Sequence, residues 1–275
     1  MKLQEKFLEL RNKRQGLLAT NFYNLETLQG VLMAAKTKDQ PIILQLTRSS
    51  IEYMGLPVAF NLAKSMLLHH GVESWIHLDH GDSYELVAQC LDIGFDSVMI
   101  DASEKSFKEN IAITSKVVKL AESYGANVEA ELGYIAKLGQ DKNQGGFTHP
   151  MEAKEFVEAT GVDALAVAIG TSHGFYDQEP ELQLDRLSEI AEATYATLVL
   201  HGGSGIPGDL LRKAVDRGIC KINLATEIKN IFMQTLKYTL LSTSEIDLRK
   251  VFPIATEKVT ELVTEKLEIM KNSDN

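Results

Sequence analysis

The sequence predicts a single α/β domain over residues 1–275, a (β/α)8 TIM barrel with an added C-terminal helix. Three observations carry this reading. Eight short runs rich in Val, Ile, Leu and Ala recur along the chain, and continuous apolar character suits parallel strands covered on both faces. Segments with helical spacing separate them. The length of 275 residues is close to the ~250 that such a barrel commonly uses. The rival, a doubly wound open sheet, would carry its Gly-rich phosphate turn after the first strand. Here residues 19–24 contain no glycine, and the Gly-rich turn follows strand seven.

The elements follow in order. Residues 1–14 mix charges with Phe7, Leu8 and Leu10 and read as an amphipathic helix, without the apolar core of a signal peptide. Strands are expected at 16–21, 41–46, 74–78, 97–101, 127–132, 164–169, 197–200 and 219–224. Helices are expected at 25–36, 58–69, 84–92, 107–124, 150–160, 184–193, 207–217 and 226–241. Gly71, Gly94, Gly125, Gly161 and Gly218 follow helical segments, where a left-handed terminus favours a residue without Cβ. Residues 254–270 form the added helix, available for packing or for dimer contacts. No Pro-, Gly- or Ser-rich linker and no low-complexity tract divides the chain.

Composition narrows the function. The 28 basic and 38 acidic side chains leave a formal charge of −10, which argues against a nucleic-acid surface. Two cysteines, Cys90 and Cys220, do not make a secreted disulfide framework. No apolar run approaches the ~18 residues of a membrane span. A cytoplasmic enzyme or binding protein is expected.

Residues at the C-terminal ends of barrel strands face the active-site mouth. Three of the seven histidines fall there: His80 after strand three, His173 after strand six and His201 after strand seven, each beside a glycine. Convergent imidazoles would make a three-histidine metal site with open positions. Taken singly, each would be a loop or core histidine. His69, His70 and His149 are read as surface residues, and His77 as lining the barrel without an assigned role. Asp79 adjoins a proposed ligand and could bind metal, orient an imidazole or act as a general base. Its bland reading is a helix cap, a role that Asp82 or Ser83 fills better.

The turn His201-Gly-Gly-Ser-Gly-Ile-Pro207 provides successive glycines whose amides can form an anion-binding concavity, and Asn223-Leu-Ala-Thr226 leads into a helix N-terminus. Loops after strands seven and eight commonly hold phosphate in this fold. Metal, phosphate and carboxylate together suggest polarisation of a ketone and stabilisation of an enediolate. Metal-assisted hydrolysis is the alternative from the residues alone.

These motifs bring a resemblance. Residues 16–266 resemble a class II fructose-bisphosphate/tagatose-bisphosphate aldolase. The match includes Asn24-Leu-Glu-Thr-Leu-Gln29, His77-Leu-Asp-His80, Gly94-Phe-Asp-Ser-Val-Met-Ile-Asp101, Val128-Glu-Ala-Glu-Leu-Gly133, Gly161-Val-Asp-Ala-Leu-Ala-Val-Ala-Ile-Gly-Thr-Ser-His-Gly174, His201-Gly-Gly-Ser-Gly205 and Lys221-Ile-Asn-Leu-Ala-Thr-Glu227. The resemblance implies a zinc-dependent lyase, with one Zn2+ per subunit and a monovalent cation as a further expectation. It would cleave a phosphorylated ketose to dihydroxyacetone phosphate and an aldehyde, as a homodimer or homotetramer. It makes His80, His173 and His201 the zinc ligands and Asp79 the acid/base. Gly174, Gly202, Gly203, Ser204, Asn223, Ala225 and Thr226 would hold the dihydroxyacetone-phosphate end. Asn21 would lie near the substrate hydroxyls. Arg249 would reach the distal phosphate across a subunit interface.

Three departures stand out. The family loop after Glu131-Leu-Gly133 usually carries a Gly-Gly pair and then acidic residues, one of them serving in proton transfer. Here the pair is Ala136-Lys137, the first acidic position is Gly139, and Asp141 is the nearest substitute. The family's Ser-x-Gly-Ala after strand two is Thr47-Arg48-Ser49-Ser50, which adds a cation at the distal substrate end. Ala225 resembles the tagatose-type branch. A distal anion such as a sulfonate would suit Arg48 and Arg249. The competing reading, motivated by the missing loop acid, is a catalytically impaired structural subunit or sugar-phosphate binder.

Overall fold

Each of the eight apolar runs forms a strand in the computed structural model, which describes residues 1–135, 146–176, 178 and 180–271. The strands are β1 (Leu17–Asn21), β2 (Ile42–Thr47), β3 (Ser74–Gly81), β4 (Ser97–Ile100), β5 (Asn127–Leu132), β6 (Ala164–Val167), β7 (Thr197–Leu200) and β8 (Ile219–Leu224). All run parallel, each beside its neighbour in sequence, and β1 pairs with β8 to close the barrel. The helices among the described residues are α1 (Leu3–Lys13), α2 (Leu25–Lys38), α3 (Arg48–Met54), α4 (Leu56–His70), α5 (Tyr84–Ile93), α6 (Phe107–Glu122), α7 (Pro150–Thr160), α8 (Leu184–Ala193), α9 (Gly208–Asp216), α10 (Thr226–Ser242) and α11 (Leu248–Met270). No helix among the described residues is long and apolar enough to cross a membrane.

The helix ends follow local chemistry. Asn24, Ser83 and Ser106 cap α2, α5 and α6 through side-chain oxygens that accept amides of the first turn. His149, expected at the surface, caps α7 by accepting from Met151. The five glycines expected to follow helices all take positive φ. Two elements differ from expectation. α3 lies outside the expected helices: Thr47 accepts the Ser50 amide and starts a short helix directly from β2. α11 begins at Leu248, capped by Asp247, and runs through Pro253. It crosses α2 at Gly30, where a Cβ would lie 2.8 Å from Val259.

The barrel is closed below and open above. Leu3, Phe7 and Leu10 form one stripe of α1 and pack on Leu17, Ala19, Ile43, Trp75 and Cys220, plugging the N-terminal end. Outward residues such as Leu18, Leu44, Ile76, Leu78 and Val98 join the helices in the main core. Interiors of such barrels are normally filled by branched apolar side chains. Above the plug, this interior is largely polar instead. Strand register sets Gln45 beside His77 and Thr47 beside Asp79, and Ser97 beside both His77 and Asn127.

These buried groups satisfy one another. Lys221 Nζ donates to Glu129 Oε2 at 2.6 Å and lies 3.3 Å from His77 Nε2. His77 Nδ1 is 2.7 Å from the Ser97 hydroxyl, which donates to Asn127 Oδ1 at 3.2 Å. Burial, then the Lys221 charge, pushes the His77 pKa down to about 3, so its ring is neutral. It can therefore donate from Nδ1 and accept from Lys221 at Nε2.

Candidate active site

Adjacent residues in a strand point to opposite faces, so Asp79 and His80 should not share a cavity. The backbone resolves this. His80 adopts φ 51°, and the β3–β4 register shifts between Leu78 and Gly81. The irregularity turns the His80 ring inward beside the Asp79 carboxylate, with His80 Nε2 3.9 Å from Asp79 Oδ1. Gly81 makes the close pass possible, because a Cβ there would sit 2.5 Å from the Met99 carbonyl.

The three predicted histidines converge. Ring centroids are 4.9 Å apart for His80 and His173, 4.7 Å for His80 and His201, and 5.8 Å for His173 and His201. Glu131 joins them: one ligand atom from each of these four residues lies within 4.8 Å of the others. His80 Nδ1 is held by Asp101 at 2.9 Å, leaving His80 Nε2 buried without a hydrogen-bond partner. His173 Nε2 is likewise buried and unpartnered. His201 lies between two carboxylates, with Nδ1 2.9 Å from Glu131 and Nε2 2.9 Å from Glu129.

Electrostatics point the same way. Burial opposes charge on His201, but Glu129 and Glu131 outweigh it and raise its pKa to about 10. Burial, then the neighbouring His80 and His201, pushes His173 down to about 3. Burial also opposes ionisation of Asp79, yet His80, His201, Lys221 and the Asn21 amide hold its carboxyl below the usual range. Asp79, Glu129 and Glu131 are buried, with Lys221 paired to Glu129, and Asp101 adds a fourth carboxylate at His80. Two orphaned imidazole nitrogens, a third imidazole, an adjacent carboxylate and this excess of buried negative charge fit a divalent cation.

The glycine turn after β7 and the segment after β8 stand beside this cluster. A Cβ at Gly202 would lie 2.3 Å from the Ser172 carbonyl, and one at Gly203 2.8 Å from the Asn223 carbonyl. The Gly203 amide donates to that Asn223 oxygen at 3.1 Å. Ala225 occupies the N-cap of α10 without a side-chain cap, and in the first turn the Glu227 amide donates to the Ser204 hydroxyl at 3.2 Å. Tyr176 ties the loops after β6 and β7 together: its hydroxyl accepts from Ser172 N at 2.9 Å and donates to the Gly202 carbonyl at 2.8 Å. Asn21 and Asn223 donate to the two oxygens of Asp79 at 2.9 and 3.3 Å, linking carboxylate and phosphate loop.

Comparison with known proteins agrees with this geometry. The family model for class II fructose-bisphosphate aldolase matches residues 1–275. The chain belongs to the class II fructose-bisphosphate aldolase family. A fructose-bisphosphate aldolase of Giardia intestinalis is 35% identical over 294 residues, covering 97% of this chain and 91% of the relative. One from Helicobacter pylori is also 35% identical, over 303 residues, covering 100% and 99%. The crystal structure of the YdjI aldolase from Escherichia coli K12 superposes with a TM-score of 0.88 at 32% identity, covering 98% of this chain and 96% of that one. The chain is thus a class II aldolase, a carbon–carbon lyase of a family that acts on phosphorylated sugars and characteristically uses zinc.

Within this aldolase the two predicted arginines stand apart from the histidine cluster. Arg48 opens α3 with a half-exposed side chain, its Nε 2.7 Å from Glu52 and its Nη1 2.5 Å from Asp82. Those two carboxylates raise its already high pKa. Arg249 is 89% exposed at the start of α11 and pairs with Asp247. The departures at Ala136, Lys137, Gly139 and Asp141 lie outside the described residues.

Sequence reading missed Glu129, Glu131, Asp101 and Lys221 as site residues. A signal was present. Glu129-x-Glu131, His77-x-Asp79 and Lys221-x-Asn223 each place polar residues two apart within apolar strands, the spacing that puts both on one face.

Proposed function

We propose that this aldolase reversibly cleaves a ketose 1-phosphate or 1,6-bisphosphate, or a ketose 1-phosphate with another distal anion such as a sulfonate, to dihydroxyacetone phosphate and an aldehyde. The single-domain chain would hold one zinc ion through His80, His173 and His201. The bound ion supplies Lewis-acid stabilisation of developing oxyanion charge.

The protein's own groups do the rest. Asp79, ionised and aimed by Asn21 and Asn223, accepts the proton of the hydroxyl whose deprotonation triggers carbon–carbon cleavage. Gly174, Gly202, Gly203, Ser204, Asn223, Ala225 and Thr226 bind the phosphate of the dihydroxyacetone-phosphate half. Asn21 also contacts substrate hydroxyls. Arg48 reads the distal anion by exchanging Asp82 for the substrate, and Arg249 does so from a second subunit of a homodimer or homotetramer. Exposed Ile246 and Leu248, next to Arg249 in sequence, suit such an interface.

The observation that carries this reading is the buried, ionised Asp79 beside two orphaned histidine nitrogens and the closely packed glycine turn after β7. The test is to incubate the zinc-loaded protein with a panel of ketose 1-phosphates and detect dihydroxyacetone phosphate. Release from at least one member is expected. No release from any, with substrate still bound, would support the non-catalytic binder instead.

A further inference from the structure

Glu227 lies in the first turn of α10 and touches both phosphate loops. Its backbone amide donates to the Ser204 hydroxyl at 3.2 Å, and its carboxylate accepts the amide of Gly205. The loop after β7 and the start of α10 are therefore locked to each other by reciprocal bonds. Glu227 is also a carboxylate placed beside amides that otherwise suit an anion, where an uncompensated charge would repel a phosphate dianion. Lys266, from the far end of the chain on α11, answers that charge. Its ammonium lies 3.1 Å from Glu227 Oε2 and 3.3 Å from Oε1. The side chains are only 8% and 13% exposed, so solvent screens the pair weakly.

We infer that Glu227 and Lys266 are a positioning pair for the phosphate subsite: Glu227 fixes the Ser204–Gly205 turn, and Lys266 cancels the Glu227 charge so that the turn accepts a phosphate. Neither residue need touch the ligand. The inference deepens the proposed function and rests on its phosphate subsite. It also gives the added C-terminal helix a task in the site, since α11 packs along α2 and α10 and carries Lys266 to the barrel mouth.

The test measures dihydroxyacetone phosphate binding to the zinc-loaded protein by calorimetry, with phosphate-free dihydroxyacetone as control and zinc content followed throughout. Lys266→Met should weaken phosphate-ligand binding by roughly tenfold or more, the scale of one charge-assisted interaction, while zinc content and handling of the phosphate-free ligand hold. Lys266→Arg should restore most of the loss. The double variant Glu227→Gln/Lys266→Met keeps an acceptor for Gly205 without the charge, and should bind within about threefold of the unaltered protein. If Lys266→Met does not fold, the double variant decides: affinity reduced by tenfold or more there overturns the inference. Equal affinity in Lys266→Met and the unaltered protein overturns it too, leaving the aldolase reading intact. Failure of the unaltered protein to bind dihydroxyacetone phosphate overturns the phosphate-subsite reading and this inference with it.

Discussion

Glu129 accepts a 2.9 Å hydrogen bond from His201 Nε2, from beneath the histidine cluster. Glu131 accepts from Nδ1 of the same ring, also at 2.9 Å. In the metal-free protein both ring nitrogens therefore carry protons, and the pKa of about 10 places that charge across the neutral range. Metal binding requires a bare nitrogen, so a bound ion must displace the proton. His80, whose pKa is raised by Asp79 and Asp101 against its burial, adds to the release. His173, held near 3, has no proton to give at neutral pH. Zinc affinity should rise at least tenfold per pH unit between about pH 7 and 9. Chelator-competition titrations at two pH values check this, and a flat affinity would show that zinc displaces no proton from His201.

His173→Ala removes a proposed zinc ligand whose Nε2 has no hydrogen-bond partner. The substitution strips no hydrogen bond from that nitrogen, so the barrel should stay folded by circular dichroism. Zinc retained after dialysis should drop to well under one ion per chain, and cleavage should vanish. Full zinc retention would remove His173 from the ligand set.

The barrel was legible because parallel strands buried on both faces leave long apolar runs, and helix ends leave glycines and capping residues. The convergence of the three histidines was legible because each follows a strand and precedes a glycine. What escaped depends on tertiary register. Glu129 and Glu131 read as isolated charges until β5 is placed with its odd-numbered residues inward, across from His201. Lys221 reads as a surface lysine until β8 closes on β1. α3 escaped for a local reason, since seven residues carry little periodicity and only the Thr47 cap announces it. Arg48 finds one of its partners, Asp82, 34 residues away, a pairing that no local pattern contains.

Lys221 is the test of the polar interior. It is 1% exposed and neutralises Glu129 inside the barrel. Lys221→Met removes the ammonium and leaves the buried Glu129 carboxylate with only its His201 hydrogen bond, and breaking a buried ion pair in this way typically costs ~3–5 kcal/mol. Urea unfolding of the metal-free protein should show a loss of that size. An unchanged midpoint would mean that water reaches Glu129.

Asp79→Ala separates proton transfer from ligand binding. The histidines remain, so zinc and dihydroxyacetone phosphate should still bind. Cleavage should fall by ~10²–10⁴-fold, the usual contribution of a positioned general base. The variant also frees the Asn21 and Asn223 amides, so a modest fall in Tm should accompany it. Normal turnover would make Asp79 a structural acceptor for those two amides.

Arg48 carries the question of substrate choice. Its guanidinium bridges Glu52 and Asp82 at the rim, and Asp82 follows directly on the Asp79-His80-Gly81 segment. Removing Arg48 would act twice on a substrate with a distal anion. It deletes a forked donor, and it leaves the Asp82 carboxylate unneutralised at the mouth. Arg48→Ala should therefore raise KM for distal-anion substrates roughly tenfold, in line with one hydrogen bond to a charged group. KM for ketose 1-phosphates without that anion should change little, and kcat should hold for both. The effect should shrink as salt is added, since the rim is open to solvent. Arg48→Ala/Asp82→Ala should recover part of the loss by removing the freed carboxylate. Equal changes for the two substrate classes would show that Arg48 serves only to anchor α3 to the segment after β3, and aldehyde selection would then rest with Ala225 or with residues after Tyr134.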